Sequence, residues 1–212
     1  MYELLGGMVS KMEYYRGDVK LFTEDTIAGS VFSVTGIRHG DFVISVNARH
    51  PKGFSGTLVS VLIENNIPTL WLVRKTFLEC ENYEQATKRL RETKISCPIY
   101  FIISGQKDNE GMVIERETDT TNAYYELSDT RWFLVQTNYD RDQPDPVHDP
   151  RRIPVEKKLT DRGDKDFTEE VLMKEMSQWP TFNIATIYTD ILCPKSGYSN
   201  TTLWYGLSLI HI

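Results

Sequence analysis

The chain has 212 residues, 40% hydrophobic and 25% charged, with 13 Gly and 9 Pro, a globular composition that excludes collagen, long coiled coil and wholesale disorder. Lys plus Arg is 24 against 30 Asp plus Glu, a net charge of -6, which argues against a nucleic-acid-binding surface. No apolar run reaches the ~18 residues of a membrane span, and a chain this long buries about 70% of its unfolded surface without needing a disulfide or a metal.

The first fifty residues read as strands. Residues 9–15 and 19–23 are aromatic and β-branched, split by Arg16-Gly17-Asp18, a tight-hairpin signal. Residues 31–35 and 42–46 form a second pair, joined by the turn chemistry of Gly36-Ile37-Arg38-His39-Gly40-Asp41. Helices follow. Residues 57–64 carry Leu58, Val59, Leu62 and Ile63 on one face, and residues 70–78 repeat the pattern with Leu70, Val73 and Phe77. Asn82 caps a third helix with Gln85 three residues on, close to a capping box, and Ala86 and Leu90 face inward.

Sheet returns at residues 99–103, an apolar run of the kind buried on both faces. A five-residue loop, 106–110, leads to a strand at 112–116. Further strands are expected at 122–127 and 132–137, with loop lengths that suit an antiparallel meander. Residues 138–166 are charged and Pro-rich, an irregular stretch of the kind that is functional or disordered. Thr168 caps a helix reaching Gln178, with Phe167 and Leu172 placed as a hydrophobic staple. Two strands, 184–192 and 202–205, close the chain. Strands, helices, strands, helix, strands: this order predicts an α+β sandwich in which helices cover antiparallel sheets.

The residues by themselves point to little chemistry. No Gly-rich phosphate loop, G-x-S-x-G elbow or H-E-x-x-H helix is present. His39, His50, His148 and His211 are scattered, as expected of solvated loop residues. Cys80, Cys97 and Cys193 match no zinc spacing and no disulfide framework, and Cys80 and Cys97 read as inert core or boundary thiols. Trp71, Trp132, Trp179 and Trp204 read mostly as packing residues. No metal or cofactor is called for.

One stretch is more specific. Residues 132–141, Trp-Phe-Leu-Val-Gln-Thr-Asn-Tyr-Asp-Arg, are followed nine residues later by Pro150-Arg151-Arg152-Ile153-Pro154. This resembles the acid ceramidase and N-acylethanolamine acid amidase family, with its T-N-Y-D strand end and D-D-R-R-T motif. Collinear likeness extends to residues 22–34, to residues 76–94 with Glu79-Cys80-Glu81-Asn82-Tyr83-Glu84-Gln85-Ala86, and to residues 184–189, Ile-Ala-Thr-Ile-Tyr-Thr. The resemblance covers roughly residues 10 to 205.

It implies an N-terminal-nucleophile hydrolase: an αββα sandwich, here truncated at its N-terminus, occupying residues 1–205 and followed by an unrelated tail at 206–212. In such enzymes a proenzyme cuts itself to expose a cysteine, which attacks the amide of an N-acyl lipid while its own α-amine acts as base. The implied partners are an N-acyl lipid substrate, reached at a membrane surface without a transmembrane span, and a small subunit from the same precursor. The implied location is lysosomal or secreted, and the Asn200-Thr201-Thr202 sequon fits that route.

Carried over residue by residue, Asn138 is the oxyanion donor and Arg151 the guanidinium close to the nucleophile. The ordinary alternatives are a turn-capping Asn and an ion pair of Arg151 with Asp140 or Asp149. Three departures stand out. The nucleophile segment C-T-S-I-V and the R-N-(M/L)-D segment after it are absent, so the chain as given is expected to be inactive. Ala48 replaces the family glutamate. Pro150 replaces the second aspartate of D-D-R-R. A non-catalytic relative that binds lipid or a partner protein is the competing expectation.

Overall fold

The computed structural model describes residues 7–49, 54–165, 167–183 and 185–204. His50, His211, the start of the 184–192 strand and the tail at 206–212 lie outside the described residues. Seven strands form one antiparallel meander in sequence order: β1 (Val9–Arg16), β2 (Val19–Ile27), β3 (Thr35–Arg38), β4 (Phe42–Ala48), β5 (Ile99–Gly105), β6 (Gly111–Arg116) and β7 (Thr121–Glu126). Three helices lie between β4 and β5: α1 (Phe54–Leu62), α2 (Thr69–Glu79) and α3 (Tyr83–Glu92). After β7 come α4 (Arg152–Arg162), α5 (Glu169–Met176) and a separate hairpin of β8 (Tyr188–Cys193) with β9 (Tyr198–Leu203).

Period-two alternation divides the sheet into two faces. On one, Phe22, Phe42, Ile44, Phe101, Ile103 and Ile114 pack under Leu72, Val73 and Phe77 of α2 and Ala86 and Leu90 of α3. Tyr14, Phe22, Phe77 and Phe42 form a run of stacked rings, with centroids 4.2, 5.0 and 5.7 Å apart. On the other face, Val43, Ser45, Asn47, Ile102 and Val113 line cavities of about 560 and 360 Å3, closed by residues 132–137, α4, α5 and β8. The layers therefore run helix, sheet, hairpin with extended chain, helix, as in the expected αββα sandwich.

Caps account for the helix ends. The Asn82 side chain accepts from the backbone N–H of Gln85, and the Gln85 side chain accepts in turn from Glu81, one residue off a strict capping box. Arg116, fully buried, donates to the carbonyls of Leu90, Thr93 and Thr120 and so satisfies the orphan end of α3. Burial pushes its guanidinium down to about 10.

Several sequence expectations are corrected. The third strand is Thr35–Arg38, not 31–35. Gly36 belongs to the sheet, because a Cβ there would lie 2.8 Å from the Thr23 carbonyl and 3.2 Å from the Phe77 ring. The turn is made by Gly40 at φ +77° and an Arg38–Asp41 ion pair. Residues 132–137 are extended but have no ladder partner among the described residues. Their carbonyls go to side chains instead: Asn47 donates to Gln136 and Thr137, and Arg141 to Val135. The irregular stretch expected over 138–166 contains α4, whose Pro154 is harmless because first-turn N–H groups have no helical acceptor. Val155 and Leu159, four apart, bury its inner side. The apolar side of α1 is open: Val59, Leu62 and Ile63 are exposed, and the Leu58 side chain lies outside the described residues. His39 is partly buried and bonded to Thr23, while His148 is exposed as expected. Among the tryptophans, Trp132 and Trp204 pack on aromatic neighbours, whereas Trp179 is exposed.

Gly36→Ala is expected to destabilise the chain by about 1–3 kcal/mol, because backbone and a packed ring must move to admit one methyl. Urea unfolding at pH 6 checks it; an unchanged midpoint would contradict the close approach described.

Candidate functional site

The last residue of β4 is Ala48. Asn138, at the end of the extended segment, donates its Nδ2 to the Ala48 carbonyl at 3.1 Å. Its Oδ1 accepts from Arg151 Nη2 at 2.7 Å. A carbonyl on one side and a guanidinium on the other fix which way the carboxamide points. Arg151 also holds Asp149 with two bonds, Nε to Oδ1 at 2.6 Å and Nη2 to Oδ2 at 2.7 Å. That pairing, ahead of the weaker opposing effect of burial, keeps the Asp149 carboxyl below its ordinary range. The two sequence-predicted site residues are thus in contact. They share a cleft of about 450 Å3 with Thr181, Asn183, Thr186 and Tyr188. That cleft continues into the 560 Å3 cavity through Arg151, Thr181, Thr186 and Tyr188.

Of the two aspartates that could pair with Arg151, the structure selects Asp149. Asp140 belongs to Arg49, which follows Ala48. Arg49 Nε and Nη2 reach the two Asp140 oxygens at 2.6 and 2.9 Å, and Nη1 reaches Glu117 at 2.5 Å. Tyr100 on β5 donates to Asp140 Oδ1 at 2.7 Å. Asp140 raises the Arg49 guanidinium above its usual value; burial first, then Asp140, raises the Tyr100 hydroxyl. The ends of β4, β5 and β6 therefore converge on the turn after Asn138. Arg152, 6% exposed, binds Asp145 and the carbonyls of Arg141 and Gln143, and so folds residues 140–152 back on themselves.

Sequence reading missed Arg49, Tyr100 and Glu117. The available signal was local: Arg49 follows the position of the family glutamate, and Asp140 lies inside the quoted T-N-Y-D motif. None of the three thiols lines the cleft with Asn138 and Arg151. Cys80 is buried under α2, and burial pushes its thiol up. Cys97 lies beside Thr69, and Cys193 ends β8. Among the described residues no group of three or more His, Cys, Asp or Glu could hold a metal ion.

No protein-family model matches the chain. It is 32% identical over 195 residues to the N-acylethanolamine-hydrolyzing acid amidase of Oryctolagus cuniculus, covering 91% of this chain and 54% of that protein. It is 31% identical over 206 residues to the acid ceramidase of Homo sapiens, covering 95% and 52%. A solved structure of the Caenorhabditis elegans N-acylethanolamine-hydrolyzing acid amidase ortholog superposes with a TM-score of 0.83 at 26% identity, covering 95% of this chain and 89% of that one. The chain belongs to the acid ceramidase and N-acylethanolamine acid amidase family. It spans about half the length of the curated relatives it matches. The structural likeness also shows that the N-terminal-nucleophile sandwich of this family is the fold described above.

Asp140→Asn is expected to destabilise the chain by about 2–3 kcal/mol, because it removes the charge that takes two bonds of the Arg49 guanidinium, 4% exposed, and leaves it only Glu117. Tyr100→Phe, which removes one hydrogen bond, is expected to cost only about 1 kcal/mol. Arg49→Lys should resemble Asp140→Asn, since an ammonium cannot make the two parallel bonds. Denaturant midpoints for the three variants rank these effects, and equal losses in all three would contradict the assignment.

Proposed function

We propose that this chain supplies the oxyanion-binding and positioning half of an N-acyl lipid amidase site. The observation that carries this reading is the contact between Asn138 and Arg151 at the edge of an open cleft. One Asn138 N–H is held by Ala48, which orients the carboxamide. The other donates to the oxyanion formed when a nucleophile adds to the amide carbonyl, a role worth about 2.7–4 kcal/mol in comparable sites. Arg151, anchored on Asp149, places positive charge where negative charge develops.

The attacking cysteine comes from a segment other than those described, since no thiol of this chain lines the cleft. The cavity beside residues 135–137 supports this. It lies between β8 and a segment that has no ladder partner among the described residues, bounded at one end by Arg151. A strand headed by a cysteine fits there by backbone pairing, with its first residue at Asn138 and its α-amine as the base. The amide bond breaks to release an amine and leave an acyl thioester, which water hydrolyses to a fatty acid. The relatives named above act on N-acylethanolamines or carry the name ceramidase, so the substrate class is N-acyl lipid. An acidic lysosomal or secreted setting agrees with the word acid in both relatives' names and with the exposed Asn200 sequon on β9. Among the described residues no helix is long and apolar enough to cross a membrane.

A second reading rests on Ala48. A methyl at that position can neither carry charge nor accept a proton, which favours a non-catalytic relative that binds lipid or a protein partner. One experiment separates the two. The chain is co-expressed with the cysteine-bearing segment of a relative and assayed on a fluorogenic N-acyl amide. Turnover is expected from the pair and none from the chain alone, with Asn138→Ala lowering kcat by roughly 100- to 1,000-fold. An inactive pair that still binds N-acyl lipid supports the second reading. Turnover by the chain alone, abolished on alkylating its own cysteines, overturns the site assignment.

A further inference from the structure

The β8–β9 hairpin covers the second face of the seven-stranded sheet at its β1–β3 end, across a seam of polar side chains. Lys11 on β1 spans it: its ammonium lies 3.6 Å from the Asp25 carboxylate on β2 and donates to Ser199 Oγ on β9 at 2.7 Å. Asp25 is almost fully buried. Asp190 on β8 stands opposite Thr201 in the hairpin register. Both Asp190 carboxylate oxygens and the Thr201 hydroxyl are buried, and their one polar contact is a weak one with each other, outside good hydrogen-bond geometry. Tyr188, on the same side of β8, feels the charge of Asp25 and the Thr35 hydroxyl across the seam. The chain therefore encloses two carboxyl groups and provides one ammonium, already engaged by Asp25 and Ser199.

An ionised carboxylate answered only by one weak hydroxyl contact is costly in such a place, and a like charge nearby makes it more so. Protonation removes the charge and turns an acceptor-only group into a donor. We propose that Asp25 and Asp190 form a proton-operated latch, in which one retained proton keeps the β8–β9 hairpin docked on the sheet and its loss releases the hairpin.

The electrostatics agree. Burial first, then the charge of Asp25, pushes the Asp190 carboxyl up to about 7, against the opposing effects of Thr201 and Lys11. The charged residues of α5, which also packs against β8, point elsewhere: Glu169 to Tyr198 and Asn200, Glu175 to Lys158, with Glu170 and Lys174 exposed. A raised folded-state value means that between about 4 and 7 the folded chain holds a proton that the unfolded chain lacks. The stabilisation is complete below the ordinary aspartate value and is lost as pH rises through about 7. His39 acts in the opposite sense. It sits in the β3–β4 turn, bonded to Thr23 and close to Gly197 of the hairpin turn, and burial lowers its value. Its contribution is complete above its ordinary value of 6.5 and is lost as pH falls, so the two groups are separated by a His39→Gln control.

The latch is independent of catalysis, and its test reads no turnover. Carbon-13 NMR of the aspartate carboxyls, on the intact chain, is expected to show Asp190 half-titrated near pH 7. Asp25→Asn should move that midpoint down. In the His39→Gln background, the unfolding equilibrium constant should rise up to tenfold per pH unit between about 5 and 7. That slope should disappear in Asp190→Asn. Above pH 7, hydrogen-exchange protection corrected for intrinsic rates should fall in β8–β9 and hold in β4–β6. An Asp190 midpoint near 4, a slope that survives Asp190→Asn, or protection lost equally throughout would each overturn the latch. If Asp190→Asn does not fold, the carboxyl titration of the unmodified chain decides.

Discussion

Everything at the site depends on where one guanidinium puts its charge. Arg49 leaves the end of β4 and takes both oxygens of Asp140, while Tyr100 from β5 and Glu117 after β6 complete the cluster. Three neighbouring strands thereby agree on the position of a turn roughly ninety residues further along the chain. Asn138, two residues before that turn, inherits its place from them. Without that anchor, the extended segment from 132 to 137 would be held by little except side-chain bonds to its carbonyls.

The two faces of the sheet solve different problems. Under α2 and α3 the chemistry is apolar and close-packed, with stacked rings and with Gly36 admitting a near approach. Where charge does enter that side, it is fully answered, as when Arg116 meets three carbonyls or Glu24 meets Arg74, Ser33 and Tyr14. The opposite face is more open: apolar residues such as Val43, Ile102 and Val113 share it with polar ones, and the Thr137 hydroxyl and the Asp190–Thr201 pair are buried there without well-formed hydrogen bonds. Groups in that state are where proton-linked or ligand-linked behaviour concentrates.

Much of this was readable in the sequence. Hairpins at Gly17 and at 106–110, the Asn82 cap and the buried run at 99–103 all rest on short-range signals, and they appear where those signals put them. The nearness of Asn138 and Arg151 followed from a motif, not from periodicity. The failures share a cause: pairing and burial are decided by distant partners. Residues 132–137 have strand composition but, among the described residues, no neighbouring strand to complete a ladder. Gly36 looks like a turn residue until Phe77 is seen beneath it. α4 is hidden by charge on its outer side and by Pro154, and only its tertiary packing makes it a helix. The Arg49 cluster joins positions 49, 100, 117 and 140, a grouping that no local window contains.

The Lys11–Ser199 bond joins positions 188 residues apart, whereas each strand of the meander pairs with its predecessor. Loop-closure entropy and topology place such contacts at opposite ends of the assembly order. The tight hairpins of the meander can form early, while the β8–β9 hairpin can dock on β1 only once the intervening chain is placed. The second face of the sheet is therefore covered late, by a hairpin whose docking contact spans 188 residues and carries a correspondingly large loop-closure cost.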